Sequence, residues 1–335
     1  GETSRALNWQ LYGYERETTP LLSRQSGLIA FPKVLTESNT THKSVPMLMS
    51  DATACNYDSI YHQKGIITAF KEAGFRTAFF SNQRYNHSFI DFFGMEADTY
   101  DFIKEDSLDS AYNPSDDELL ALVAKELSKG NQKQFIVLHT YGSHFNYRER
   151  YPSEDAFFLP DYPVEAEVKY RDNLVNAYDN TIRYTDSFLS RLIHMLEEQH
   201  VDAAMLYTSD HGEDIFDDSR HLFLHASPVP SYYQLHVPFL IWMSDTYREA
   251  YPEHWQTVTK NKDKDLSSSR SFFPTMLELG GVQTSYRNDS SSVVSPLYTM
   301  KPRVYLNDHN EPRPLDDLGM KQPDFQKCQV LGIKY

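Results

Sequence analysis

The sequence predicts an α/β protein with a mostly parallel central sheet, helices on both faces and a small C-terminal subregion. Two observations predict it. Short apolar runs alternate with segments of helical period, and polar side chains suited to chemistry collect just after the apolar runs, where open α/β sheets place their sites. Composition agrees, since 40% of the 335 residues are hydrophobic, ample core for one large domain or two small ones. The formal charge of −15 disfavours nucleic-acid binding and direct adhesion to an anionic lipid surface, both of which need basic clusters. A small or tethered substrate is easier to accept.

Along the chain, Pro20 suits the first turn of a helix through Leu21 and Leu22, where its missing N–H costs nothing. Residues 27–36 read as a strand. Residues 44–50 read as a short helix behind a Thr/Asn/Ser cluster, and its unpaired N–H groups attract anions. A helix over 58–73 capped by Gly74 leads into a strand at 76–81, and 99–103 is a further strand. Ser115-Asp-Asp-Glu118 resembles a capping box feeding a helix over 119–127 that Gly130 closes; a buried strand at 135–138 follows. Over 167–199, Leu174, Tyr178, Ile182, Phe188, Leu189 and Leu192 recur at helical period, the signature of a core-packed helix. Strands at 203–207 and 237–242 and a helix at 271–279 complete the alternation. The remainder, 284–335, is richer in Ser, Pro and Asp and reads as a subregion packed on the domain formed by 1–283, with strands near 303–306 and 330–335. There are no internal repeats or low-complexity tracts.

The richest stretch is Tyr207-Thr-Ser-Asp-His-Gly-Glu213, where an apolar run ends in Asp210 and His211. A carboxylate and an imidazole at a strand's end can grip one cation, and Gly212 lets the chain turn tightly beyond them. Gly1-Glu-Thr-Ser-Arg5, Thr40-Thr-His-Lys-Ser-Val-Pro46, His139-Thr-Tyr-Gly-Ser-His144 and Leu224-His225 accompany it. His144 lies six residues beyond its strand, presented by Gly142-Ser143. His225 ranks above His221, and His139 suits orienting a ligand better than binding metal. Thr40, Thr41 and Ser44 are all placed to act as a nucleophile, activated by a base or a metal, although each equally suits a plain helix N-cap. Cys55 and Cys328 match no metal-binding spacing and leave the redox compartment open. No run reaches the eighteen or so apolar residues that cross a bilayer, and no signal peptide is visible. Glu2 has no apolar strand ahead of it, so the chain reads as part of a longer one.

Taken together, Gly1-Glu-Thr-Ser-Arg5, Tyr12-Gly-Tyr-Glu-Arg16, Thr41-x-x-Ser44-Val-Pro46, Gly142-Ser-His144, Arg150-Tyr-Pro152, Tyr178-Asp-Asn180, Ser209-Asp-His-Gly-Glu213 and Leu224-His225 resemble the periplasmic catalytic domain of phosphoethanolamine transferases, in the sulfatase-like branch of the alkaline phosphatase superfamily. The resemblance covers most of residues 1 to about 280. It implies a zinc ion held by Glu2, Thr41, Asp210 and His211, with Thr41 as nucleophile and His144 and His225 on the phosphoryl group or a second zinc. It further implies phosphatidylethanolamine as donor, a cell-envelope glycan or lipid A as acceptor, and a place at the periplasmic face of the bacterial inner membrane through a transmembrane region absent from this chain. Relatives that modify lipid A carry several disulfides, whereas Cys55 and Cys328 allow at most one, so the acceptor stays open. True sulfatases carry Cys/Ser-x-Pro-x-Arg; Ser44-Val-Pro46 is followed by Met47-Leu48 instead. Lipoteichoic-acid synthases, which transfer glycerol phosphate and typically use manganese, share the Glu, Thr and Asp-His layout. A phosphodiesterase or hydrolase with water as acceptor is the alternative enzyme, and a binding domain with a structural Asp-His-Gly loop the non-catalytic one. Gln83 and Arg84, beyond the strand at 76–81, have no assigned role.

Overall fold

Pro32, which has no N–H to give a ladder, divides the expected strand at 27–36 into β1 (Leu28–Ala30) and β2 (Val34–Leu35). The computed structural model describes residues 1–104, 113–130 and 133–335. Just before β1, the chain at Pro20 forms no α-helix; a 3₁₀ turn at Leu22–Arg24 stands there. Helix α1 (Thr41–Met49) starts three residues before the expected 44, which makes Thr41 its first residue. Pro46 cannot donate to the His42 carbonyl, and the Tyr57 hydroxyl donates there instead at 3.4 Å.

The helix expected over 58–73 is two pieces, a 3₁₀ turn at Tyr57–Tyr61 and α2 (Ile66–Glu72). They part at Gly65, where a β-carbon would lie 2.7 Å from the Phe93 ring and 2.9 Å from the Met49 carbonyl. Strands β3 (Arg76–Ser81), β4 (Thr99–Phe102) and β5 (Gln134–His139) form a parallel sheet in the order β4-β3-β5. Between them lie α3 (Phe89–Gly94), which the sequence reading missed, and α4 (Glu118–Leu127). No capping box opens α4: Asp117 is its N-cap with no side-chain bond, and the Asp116 carboxylate is drawn away to accept from the Tyr141 and Gly142 amides at 2.7 and 2.9 Å.

Helix α5 (Arg171–Glu197) follows a 3₁₀ turn at Val168–Tyr170. Next come β6 (Ala204–Thr208), β7 (Asp214–Ile215), β8 (Phe223–Leu224), the short α6 (Tyr232–Leu235) and β9 (Phe239–Met243). Strand β9 lies between β1 and β6, antiparallel to both, so strand direction is mixed within an α/β sheet architecture. Helices α7 (Asp245–Ala250) and α8 (Pro252–Asn261) precede β10 (Leu266–Ser267), which runs parallel to β2, and α9 (Ser268–Leu279).

The period-2 alternation of the strands produces the layers. Ala78, Phe80, Met205, Tyr207, Leu240 and Trp242 share one core with Leu119 of α4 and Ile182 of α5. Their strand neighbours face away from it: Phe79 and Phe135 pack with α1, α2 and α9, the Phe70 and Phe135 rings stacking at 3.8 Å, while Phe239 and Ile241 pack against Val258 of α8. Helices therefore cover both faces, and no helix among the described residues is long and apolar enough to cross a membrane.

The tail contributes β11 (Val304–Leu306) paired with β12 (Pro312–Pro314), then α10 (Gln322–Val330). The strand expected over 330–335 is the end of this helix and a turn, because Gly332 at φ +64° cannot continue an extended chain. Tyr305, Leu315 and Cys328 pack on Leu35 and Leu235, and the Leu306 amide donates to the Glu37 carbonyl at 2.8 Å. Cys55 is exposed, Cys328 is buried with its thiol pushed up to about 11 by that burial, and both are free.

Candidate active site

Strand β6 runs to Thr208, and the turn beyond it sets Asp210 and His211 side by side, both wholly buried. Gly212 has no room for a side chain, since a β-carbon would lie 2.2 Å from the Tyr233 carbonyl. Glu2 reaches the same point through backbone contacts: the Thr3 amide donates to Asp210 Oδ1 at 3.0 Å and the Ser143 amide to the Glu2 carbonyl at 3.0 Å. Thr3 holds φ at +57°, an expensive conformation for a β-branched residue and one that clusters at functional sites.

Thr41 arrives from the opposite side at the start of α1. Its hydroxyl donates to Glu2 Oε1 at 3.0 Å and lies 3.1 Å from His211 Nε2. The competing hydroxyls are engaged elsewhere, Thr40 with Ser38 at 3.2 Å and Ser44 with the Ser38 carbonyl at 3.0 Å. Position alone left the three equal; contacts single out Thr41.

His211 Nε2 stands 3.5 Å from Glu2 Oε1 and 3.3 Å from Asp210 Oδ2. A tetrahedron whose corners lie about 2 Å from its centre has edges of about 3.3 Å, so these separations fit a zinc-sized ion among carboxylate, imidazole and hydroxyl donors. Donor atoms of Glu2, Asp210 and His211 all lie within 4.8 Å of one another. Asp210 supplies a second sign. Its Oδ1 accepts from the Thr3 and His211 amides, whereas Oδ2 is buried with no hydrogen-bond partner. Two buried carboxylates that no Lys or Arg side chain pairs with, among the described residues, need a cation, because desolvation costs several kcal/mol per uncompensated ion. Burial pushes the Asp210 carboxyl up, yet His211 and the Thr3 amide more than offset this and hold it below the usual range.

The histidines share one tautomeric logic. His211 Nδ1 donates to the Gly212 carbonyl at 2.9 Å and His144 Nδ1 to the Phe145 carbonyl at 2.5 Å, since a carbonyl can only accept. His225 Nδ1 faces Glu213 Oε2 at 3.5 Å. Nε2 of each ring is thereby left for a ligand. The His225 ring centroid lies 4.2 Å from that of His211 and 6.1 Å from that of His144. Burial lowers the His225 pKa, but the Glu213 carboxylate outweighs it and the net shift is upward. Leu224 and Ala226, on either side of His225, both hold φ above +60°. His221 does not join the cluster; its amide donates to the Asp218 carbonyl in an exposed turn.

Four supporting residues escaped the sequence reading. Glu213, itself wholly buried, takes the Tyr147 hydroxyl as well as His225. Gln83 Nε2 donates to Glu2 Oε2 at 2.9 Å, and its amide donates to Ser81 Oγ, which lies 3.2 Å from His139 Nδ1. His139 thus reaches Glu2 only at two removes, and burial drives its pKa down to about 4. Asp116 holds the turn that presents His144. Asn39 ties three segments together: it donates to the Ser227 carbonyl at 2.9 Å and to Gln234 at 2.6 Å, and accepts from the Tyr305 hydroxyl at 2.6 Å. Only Glu213 carried a sequence signal, its place in the Asp-His-Gly-Glu run. A cavity of about 400 Å³ beside Asp51, Cys55 and Lys301 contains none of these residues.

The model of the Sulfatase family matches residues 1–282. Phosphoethanolamine transferase EptA of Escherichia coli K12 is 31% identical over 311 residues, 88% of this chain, and the chain spans about half of that relative, 54%. The integral membrane lipooligosaccharide phosphoethanolamine transferase A of Neisseria meningitidis is similar in structure at a TM-score of 0.79 and 29% identity, over 88% of this chain and 56% of that one. The periplasmic domain of Escherichia coli EptC, crystallised in complex with zinc, superposes at a TM-score of 0.85 and 24% identity, over 95% and 91%. The chain belongs to the sulfatase family, and within it to the phosphoethanolamine transferase periplasmic domains of the alkaline phosphatase superfamily.

Proposed function

We propose that this domain transfers phosphoethanolamine from phosphatidylethanolamine to a cell-envelope glycan or lipid A through an intermediate on Thr41, with zinc held by Glu2, Thr41, Asp210 and His211. The observation that carries the reading is the Thr41 hydroxyl at the first turn of α1, 3.0 Å from a buried carboxylate and 3.1 Å from a buried imidazole. In the first step Thr41 Oγ1 bonds to phosphorus, its proton passes to the Glu2 carboxylate, and the bond from phosphorus to the glycerol oxygen breaks. The upward-shifted His225 supplies the proton that leaves with diacylglycerol, and His144 contacts a non-bridging oxygen. In the second step an acceptor oxygen attacks the same phosphorus, Thr41 regains its proton, and the acceptor's proton returns to His225. Zinc there would lower the pKa of the hydroxyl and balance charge gathering on the phosphoryl oxygens. An imidazole in the donor set suits zinc better than manganese. The first turn of α1 adds backbone N–H groups facing an anion.

The periplasmic face of the bacterial inner membrane is the place we assign to it, tethered by a transmembrane region outside this chain, as the integral membrane relative suggests. Incubating the zinc-loaded protein with phosphatidylethanolamine vesicles and mapping peptides by mass spectrometry tests the proposal. A phosphoethanolamine adduct on the Thr41 peptide with matching diacylglycerol release is expected. Release of phosphoethanolamine to water alone, even with glycans present, would favour the hydrolase, and a glycerol-phosphate adduct from phosphatidylglycerol would favour the lipoteichoic-acid synthase chemistry. Unchanged diacylglycerol release by Thr41→Ala would refute the nucleophile.

A further inference from the structure

Beyond the C-terminal ends of the parallel sheet, three cations gather on one aromatic ring. Lys104, two residues past β4, sets its Nζ 3.6 Å from the Tyr141 ring centroid, and the Arg150 guanidinium lies 4.1 Å from the same centroid. Arg84, three residues past β3, is close enough for its charge to act on Lys104. The sequence gives no warning of this cluster, which forms in a chain carrying fifteen excess negative charges. Tyr141 in turn stacks on His144, with centroids 5.1 Å apart and planes 9° apart. A row of rings therefore runs from His211 through His225 and His144 to Tyr141 and ends in positive charge.

Little answers that charge. Glu149 pairs with Arg150 at 3.0 Å from an exposed position, the Asp116 carboxylate is taken by the amides of Tyr141 and Gly142, and Lys104 reaches only Asn113 Oδ1 at 3.3 Å. Among the described residues, no carboxylate forms an ion pair with Lys104 or Arg84. Burial, then Arg150 and Arg84, lower the Lys104 pKa to about 8, the condition of a cation crowded by like charge and short of an anion.

Resting on the transfer reading above, we propose that Lys104, Arg150 and Arg84 around Tyr141 form an anion subsite for a phosphate carried by the acceptor, which makes the acceptor a phosphorylated sugar or lipid and not a neutral glycan. The donor cannot fill this subsite. Its one phosphate must stand at Thr41 to react, and its ammonium is repelled by the three cations. An anion bound here belongs to the second substrate, held beside the histidine that contacts the reacting phosphoryl group.

The test is calorimetric binding of glucose 1-phosphate, against glucose, to zinc-loaded Thr41→Ala protein, with and without Lys104→Gln plus Arg84→Gln. The sugar phosphate is expected to bind and to weaken at least tenfold in the variant; Lys104→Arg in place of Lys104→Gln should restore most of that loss, and glucose should not bind in either. Equal binding of glucose 1-phosphate in parent and variant would overturn the subsite. So would inorganic phosphate binding as tightly as the sugar phosphate, or phosphatidylglycerol vesicles binding in preference to it through Lys104. Because Thr41→Ala cannot form the adduct, a missing adduct in native protein fails the transfer reading alone, whereas binding indifferent to Lys104 and Arg84 fails the subsite alone.

Discussion

His225 Nδ1 lies 3.5 Å from Glu213 Oε2, and the Tyr147 hydroxyl closes on the other oxygen of that carboxylate. The pair sets which nitrogen of His225 faces the phosphoryl group and keeps the ring readily protonated. Replacing Glu213 with Gln should lower kcat about 10- to 100-fold with KM little changed. The His225 titration followed by NMR should fall toward the ordinary value, because the carboxylate is what raises it. An unshifted titration would make Glu213 a packing residue only.

Zinc binding should stabilise the fold by about 2.7 kcal/mol at a hundredfold excess over Kd. Scanning calorimetry should show Tm falling on chelation and recovering with zinc. Asp210→Asn, which removes the unpartnered Oδ2, should suppress that recovery. A zinc response equal to that of the native protein would remove Asp210 from the metal shell.

Gly142 holds φ at +54°, and a β-carbon there would lie 2.7 Å from the Glu2 carbonyl oxygen and 2.9 Å from its nitrogen. Gly142→Ala should cost about 2 to 3 kcal/mol in urea denaturation and displace Glu2, so activity falls further than stability alone explains. Gly74→Ala makes the control. Its φ is +83° but nothing lies within 4 Å, so only backbone strain of about 1 kcal/mol is expected, with activity intact.

Asp186 is buried and accepts from the amides of Leu21 and Leu22 at 3.0 and 2.8 Å, and its burial raises the carboxyl pKa to about 6. A carboxyl raised in the folded state binds its proton more tightly there than when unfolded. Its stabilisation is therefore complete below about pH 4 and disappears as pH rises through about 6. Between pH 4 and 7 the native protein should lose about 3 kcal/mol relative to Asp186→Asn, at about 1.36 kcal/mol per pKa unit. Parallel stability curves for the two proteins would show that Asp186 titrates normally.

The alternation of apolar runs and helical period made most of the framework legible, as at Arg76–Ser81 and Thr99–Phe102, because burial on a given face is a local pattern. Breaks were harder to see. Gly65 splits a helical segment because Phe93 crowds it from another part of the chain, and Val330 ends a helix where its apolar neighbours suggested a strand. Glu2, Thr41, Asp210 and His211 carry side chains whose chemistry announces itself. Gln83, Asp116 and Asn39 do not, since an amide or carboxylate in a loop gains a role only from what the fold brings against it, and Tyr305 lies 266 residues from the Asn39 it bonds. The Lys104 cluster was hidden for the same reason.

The bonds at Asn39 give the last stretch of the polypeptide a say in the rate. Tyr305 grips the residue two before the nucleophile, and Lys43, two after it, donates to the Asn307 carbonyl at 2.7 Å. The reactive turn is braced from outside on both flanks. Exchanging this terminal stretch between homologues offers a way to retune turnover while every metal-binding side chain stays in place.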